Sequence, residues 1–240
     1  YISYQRLFWL SLSGIIGLVL GDAFLFQAFI MIGTRLSMLL MSLTPIMAKT
    51  LAWIFLGERL NFGQLLGILL TVSGIAWVVL ERNNELKSDR LDSRKYTIGI
   101  LFGIAAALGQ AGGLITAKLG LGGDFPAISG TLIRMLAAMV VLWSFTLLRG
   151  QGKATFQKLR DHPRARIFLL GGSITGPFLG VTASLLAIQL TDIGIASTLM
   201  ALTPIFLLPV GHYIFHERIG WQAIAGTLVA IAGVAILFLV

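Results

Sequence analysis

Three ionisable residues, Asp22, Lys49 and Arg134, stand inside stretches that are otherwise almost wholly apolar. A cation there can hold the anionic group of a solute, and a lone carboxylate can carry a proton or balance a cation. Placing each one costs at least about 2.5 kcal/mol on insertion scales, so such residues face a cavity or one another. An ion pair of Asp22 with Lys49 or Arg134 that only fixes helix register would meet the same constraint. Pro45, Pro177, Pro204 and Pro209 fall in the same stretches, where each removes a backbone N–H and frees a carbonyl. Pro45 and Pro204 share one depth in an internal repeat, which makes them candidates for substrate contact, although a packing kink has the same signature. Gln27, Gln110, Gln189 and His212 either line a pathway or bridge helices.

The elements that must position these residues follow from composition. Of 240 residues, 57% are hydrophobic and only 12% charged, and the mean hydropathy is +0.90. That leaves too little polar material to cover a water-facing surface, so lipid is the solvent. The expected fold class is an all-α polytopic membrane protein. About 20 apolar residues cross the hydrocarbon core, and eight stretches qualify: 8–32, 36–57, 62–80, 97–119, 125–148, 167–190, 194–215 and 221–240. Two polar loops remain, 81–96 and 149–166. There is no Cys, which excludes disulfides, thiolate metal sites and a Cys nucleophile. No His-Glu-x-x-His, Gly-x-Ser-x-Gly, intramembrane carboxylate pair or nucleotide-binding motif occurs, so neither an enzyme, a cofactor nor a metal is expected.

Leu43-Thr44-Pro45-Ile46 recurs as Leu202-Thr203-Pro204-Ile205, an offset of 159 residues. The same register pairs Gly17 with Gly176, Gly21 with Gly180, Glu58-Arg59 with Glu217-Arg218, Gly67 with Gly226 and Gly74 with Gly233. One period spans five crossings, and an odd number turns the second copy upside down, as in inverted-repeat transporters. The partners of the fourth and fifth spans would precede Tyr1, so eight spans of an expected ten are visible. The expected organisation is residues 1–80 as the last three helices of a first copy, 81–96 as a connecting loop, and 97–240 as a complete second copy. Small residues four apart, including Gly14 to Gly21, Gly63 to Thr71, Gly99 to Ala107 and Gly172 to Gly180, predict close helix packing.

Residues 21–29 (GDAFLFQAF), residues 43–80 with their echo at 202–239, and Arg134 resemble the EamA-type members of the drug/metabolite transporter superfamily. His216 departs from the pattern, since the first copy has Gly57 at that place. The resemblance implies a secondary transporter, an exporter of small metabolites, working by alternating access. A non-transporting membrane scaffold or sensor is the alternative.

Lys and Arg divide 13 to 3 between the two faces, the minority being Arg6, Arg59 and Lys118. This bias puts the Lys118 face outside the cell membrane, a bacterial inner membrane by resemblance. Basic residues between spans also argue against nucleic acid as a partner. The expected partners are lipid and a small solute, with coupling to a proton or counter-substrate and a homodimer left open. The two basic residues near the midplane against one acid favour a carboxylate-bearing, amino-acid-like solute. The expected binding set is Lys49, Arg134, Asp22, Pro45 and Pro204, with Phe26, Phe29, Trp53 and Phe178 as candidate walls.

Overall fold

The structure is a computed structural model, and it describes residues 3–58, 61–81, 93–123, 125–161, 163–203, 205 and 221–239. All regular elements in these residues are helical. They are α1 (Tyr4–Ser13), a π-helical segment (Gly14–Gly21), α2 (Asp22–Met41), α3 (Thr44–Leu56), α4 (Phe62–Glu81), α5 (Ser93–Gly120) and α6 (Ala127–Leu148). Then follow α7 (Gly152–Asp161), α8 (Pro163–Ser173), a second π segment (Ile174–Gly180), α9 (Val181–Leu190), α10 (Ile193–Met200) and α11 (Trp221–Leu239).

Five stretches are long and apolar enough to cross a membrane: Tyr4–Thr34, Leu36–Leu56, Arg94–Gly120, Ala127–Leu148 and Arg166–Leu190. Phe62–Trp77 and Ile224–Ile236 are shorter apolar helices at two further expected spans. The remaining span, 194–215, is described only through α10 and the few residues after it. The first two spans separate at Gly33, whose φ of 79° lies in the left-handed region and interrupts α2. The expected polar loop 149–166 instead contains α7.

The repeat is visible in packing. A Cβ on Gly74 would come within 2.5 Å of Gly226 O, and one on Gly233 within 2.7 Å of Gly67 O. Gly67 and Gly226 are offset partners, as are Gly74 and Gly233, so each contact is the mirror of the other. Midway between them, Thr71 Oγ1 lies 3.4 Å from the carbonyl of Ala230, its own offset partner. Residue numbers rise along α4 as they fall along α11, which makes the crossing antiparallel and self-complementary. Such reciprocity is the signature of a two-fold axis, here passing between Thr71 and Ala230. The protein is a polytopic all-α membrane protein of inverted-repeat build.

Both π segments occupy one register of the repeat. The second contains Pro177; the first has Leu18 there and widens without a proline. Helix α5 is the spine: Gly113 and Gly109 sit against Gly17 and Gly21 so closely that a Cβ on either would lie 2.9 Å from the facing Cα. This is small-residue packing as lipid favours it, where backbone approach replaces the hydrophobic drive.

Candidate functional site

A cavity of about 320 Å³ lies where α2, α3, α5, α6, α9 and α10 meet. Its walls contain five pairs related by the 159-residue offset: Leu25 and Ser184, Met38 and Ser197, Met41 and Met200, Ser42 and Ala201, Thr44 and Thr203. The cavity is therefore built by equivalent positions of both copies. Arg134 and Gln110 add polarity from α6 and α5, with Leu114 beside them.

Arg134 is 4% exposed. Its place depends on two glycines of the first π segment: a Cβ on Gly14 would lie 2.4 Å from Arg134 O, and one on Gly17 3.3 Å from Arg134 Nη2. Asp22 begins α2 immediately after that segment. Gln110 Nε2 donates to Asp22 Oδ1 at 2.8 Å and to Gly17 O at 3.3 Å, tying the carboxylate to the π segment. Asp22 and Arg134 feel each other's charge, yet among the described residues no ion pair joins them. Two buried polar atoms on the cavity wall, Arg134 Nε and Thr44 Oγ1, have no hydrogen-bond partner among the described residues. An orphaned buried group costs about 1–3 kcal/mol, a cost that a ligand accepting from Arg134 and bonding Thr44 would relieve.

Lys49 belongs elsewhere. Its ammonium lies 3.4 Å from Glu58 Oε2 and 3.4 Å from Asp192 Oδ2, and its side chain is 3% exposed. The alternative pairing of Lys49 with Asp22 does not occur, because the lysine stem runs over Gly194, where a Cβ would come within 2.6 Å of Lys49 Cδ. The stem thus directs the charge to the end of the bundle, as long cationic side chains do. Glu58 is the hub there. Gly57, with φ 67°, caps α3 in the left-handed conformation and turns the chain back. Glu58 Oε1 then accepts from Lys118 Nζ at 2.9 Å and from the backbone N–H of Ile193 at 3.3 Å, in the first turn of α10. A carboxylate at a helix N-terminus also meets the positive end of the helix dipole. Asp192 is the N-cap residue of α10, but its side chain turns to Lys49 rather than capping the helix. Offset counterparts of Lys49 and Asp192 are Leu208 and Gly33, so this network has no ionic copy in the repeat.

Of the expected binding residues, Arg134 lines the cavity and Asp22 stands behind it through Gln110. Lys49 is in the ion network. Pro45 is buried in the first turn of α3, a position that has no helical N–H bond to lose, so it starts a helix rather than interrupting one. Pro204 lies outside the described residues. Phe26 and Trp53 are 61% and 52% exposed and face away from the interior. Gln110, expected either to line a pathway or to bridge helices, does both; Thr44 and Asp192 were not among the expected site residues.

Residues 2–80 and 97–239 match the family model described as the EamA-like transporter family. No curated protein gives a significant match. Among solved structures, one crystal structure aligns with 99% of this chain and 79% of its own, with TM-score 0.73 and 15% identity, a likeness of fold alone.

Proposed function

Since the chain belongs to the EamA-like transporter family, we propose that it is a secondary transporter exporting small carboxylate-bearing metabolites, amino-acid-like among them, by alternating access around the cavity at Arg134. The observation that carries this reading is the cavity's construction from five offset pairs, with two orphaned polar atoms on its wall. A site made of equivalent positions of two inverted copies lies equally far from both faces, the place alternating access requires. At about 320 Å³ it is at the small end of ligand pockets.

Arg134 takes the carboxylate, since a guanidinium binds it in a planar fork that few other side chains match. Thr44 and its counterpart Thr203 serve a second polar group. Met38, Met41 and Met200 surround the apolar body, and their flexible thioethers accept varied shapes. Asp22 has Val181 as its offset counterpart, so the charge is one-sided; held by Gln110, it is the residue positioned to take a proton when the substrate leaves. Lys49 acts at the far end, where its network with Glu58, Lys118 and Asp192 joins α3 to α5 and α10 and must part for the site to open outward. On this reading residues 1–80 act as one rocking unit and 97–240 as the other, with 81–96 between them.

The test is uptake of carboxylate solutes into vesicles holding Arg134→Met protein at normal levels. Charged hydrogen bonds are worth about 1.5–3 kcal/mol, so transport should fall at least about tenfold, with Arg134→Lys recovering part of it. Unchanged transport of every anionic and zwitterionic solute by Arg134→Met would overturn the assignment.

A further inference from the structure

The chain between α6 and α8 folds into a second concave site at the opposite end from Lys118. Gly150, at φ 67°, reverses the chain after α6, and Gly152 lets it return so closely that a Cβ there would lie 3.0 Å from Leu147 Cδ2. Helix α7 then lies beside the end of α6, and a cavity of about 550 Å³ opens between them. Lys153, Phe156, Gln157 and Arg160 line it from α7, and Trp143 and Leu147 from α6. The α7 positions are spaced three, four and seven apart and so share one face.

That face mixes cations with an apolar ring. An interfacial helix turns its apolar side toward the lipid and its cations to water. Here Lys153, Gln157 and Arg160 line the groove together with Phe156, beside the apolar end of a spanning helix, with Trp143 at 45% and Leu147 at 63% exposure. Lys153 has no carboxylate partner among the described residues, and Arg160 has only its exposed neighbour Asp161 at 3.7 Å. Two turns separate Lys153 from Arg160, about 10 Å along the axis, enough to flank one phosphodiester. A ligand that satisfies both sides carries an anionic head and an apolar tail.

We propose that the groove between α6 and α7 binds the head group of an anionic phospholipid of the adjoining leaflet, with Lys153 and Arg160 on the phosphate and an acyl chain along Trp143 and Leu147. The positive excess on this face places it in the leaflet where anionic lipids attract basic segments. The full chain would be purified from mixed bilayers of phosphatidylglycerol and phosphatidylcholine, and the retained lipid measured by mass spectrometry. Basic residues at a membrane surface each contribute severalfold to anionic-lipid affinity, so phosphatidylglycerol should be enriched about tenfold over the bulk mixture. Lys153→Gln with Arg160→Gln should abolish the enrichment. Arg149→Gln with Arg166→Gln removes the same charge outside the groove, since Arg149 stacks on Phe145 at 4.2 Å, and should leave it intact. Equal loss in both double variants would reduce the effect to net charge and overturn the site. So would retention in the first variant, or release of the lipid by excess inorganic phosphate at constant ionic strength, which would mark a free-anion site. Matching elution of all variants on size exclusion confirms that folding is not the variable.

Discussion

The two π segments, Gly14–Gly21 and Ile174–Gly180, occupy one register of the repeat and have the same backbone form, yet their surroundings differ completely. In the first, Gly17 and Gly21 pack on Gly113 and Gly109 of α5, and the Arg134 guanidinium lies over Gly17. In the second, Gly176 has nothing within 4 Å of where a Cβ would stand, and the residues from Arg166 to Gly180 are exposed within residues 1–240, where α5 and α6 have no offset counterparts because these would precede Tyr1. Local geometry is thus written into each copy, while the use made of it is set by the neighbour. A glycine in lipid contributes stability only where a second backbone comes to meet it. The first copy is also tied to the second at its end, through Glu58.

The largest effect expected from breaking that contrast is at Glu58. Among the described residues Glu58→Gln leaves Lys49 with only Asp192 and Lys118 with only the carbonyl of Thr191, and removing one partner of a buried network costs about 3–5 kcal/mol. Because Lys118 is 25% exposed, the loss should fall near the lower end. It would be read as a drop in thermal unfolding temperature in detergent; an unchanged value would mean the network does not hold the copies together. Next comes the glycine pair. Gly17→Leu must displace Arg134 or α5, an overpacking cost of about 1–3 kcal/mol, and should impair transport as well. Gly176→Leu should stay within about 0.5 kcal/mol of the parent, as for surface positions. Equal damage from both would show that the bare face is covered in the membrane. Third, Asp192→Asn should cost no more than about 1 kcal/mol, since that carboxylate is 42% exposed and solvent screens it. High salt should erase the difference.

Much of the fold was legible because the glycine register repeats without a gap, and reciprocal glycines are what the α4–α11 crossing uses. The Gly33 break was legible for a different reason, falling between the apolar runs 8–32 and 36–57. The π segments were not, since widening a helix changes no residue type and Leu18 stands where Pro177 does. Arg134 was legible as a charge that needs a cavity. Lys49 looked equivalent because counting along a span treats the side chain as a point, whereas its stem carries the charge past Gly194 to Glu58. Asp192 and Lys118 lie 143 and 69 residues from Lys49 in the chain, and no local pattern announces such a pairing. Nor can a sequence show that Arg134 Nε and Thr44 Oγ1 lack partners.

The smallest effect concerns Pro177 and decides why the two copies bend alike. A proline inside a helix removes one hydrogen bond and crowds the preceding turn, so it is the usual cause of a kink. The first copy reaches the same π form with Leu18, so a proline is not required for that form. Pro177→Leu installs the counterpart residue and restores an N–H, in a segment where a Cβ on Gly176 would meet nothing within 4 Å among the described residues. Thermal stability should change by no more than about 0.5 kcal/mol. The bend itself can be read directly: the chain has no native cysteine, and Ile167 and Leu190, at 72% and 78% exposure, flank the π segment. Spin labels on cysteines at those two positions should report the same distance in the parent and in Pro177→Leu. A shift of several ångströms would show that the second copy bends because of its proline and the first because of its contact with α5, two causes for one shape.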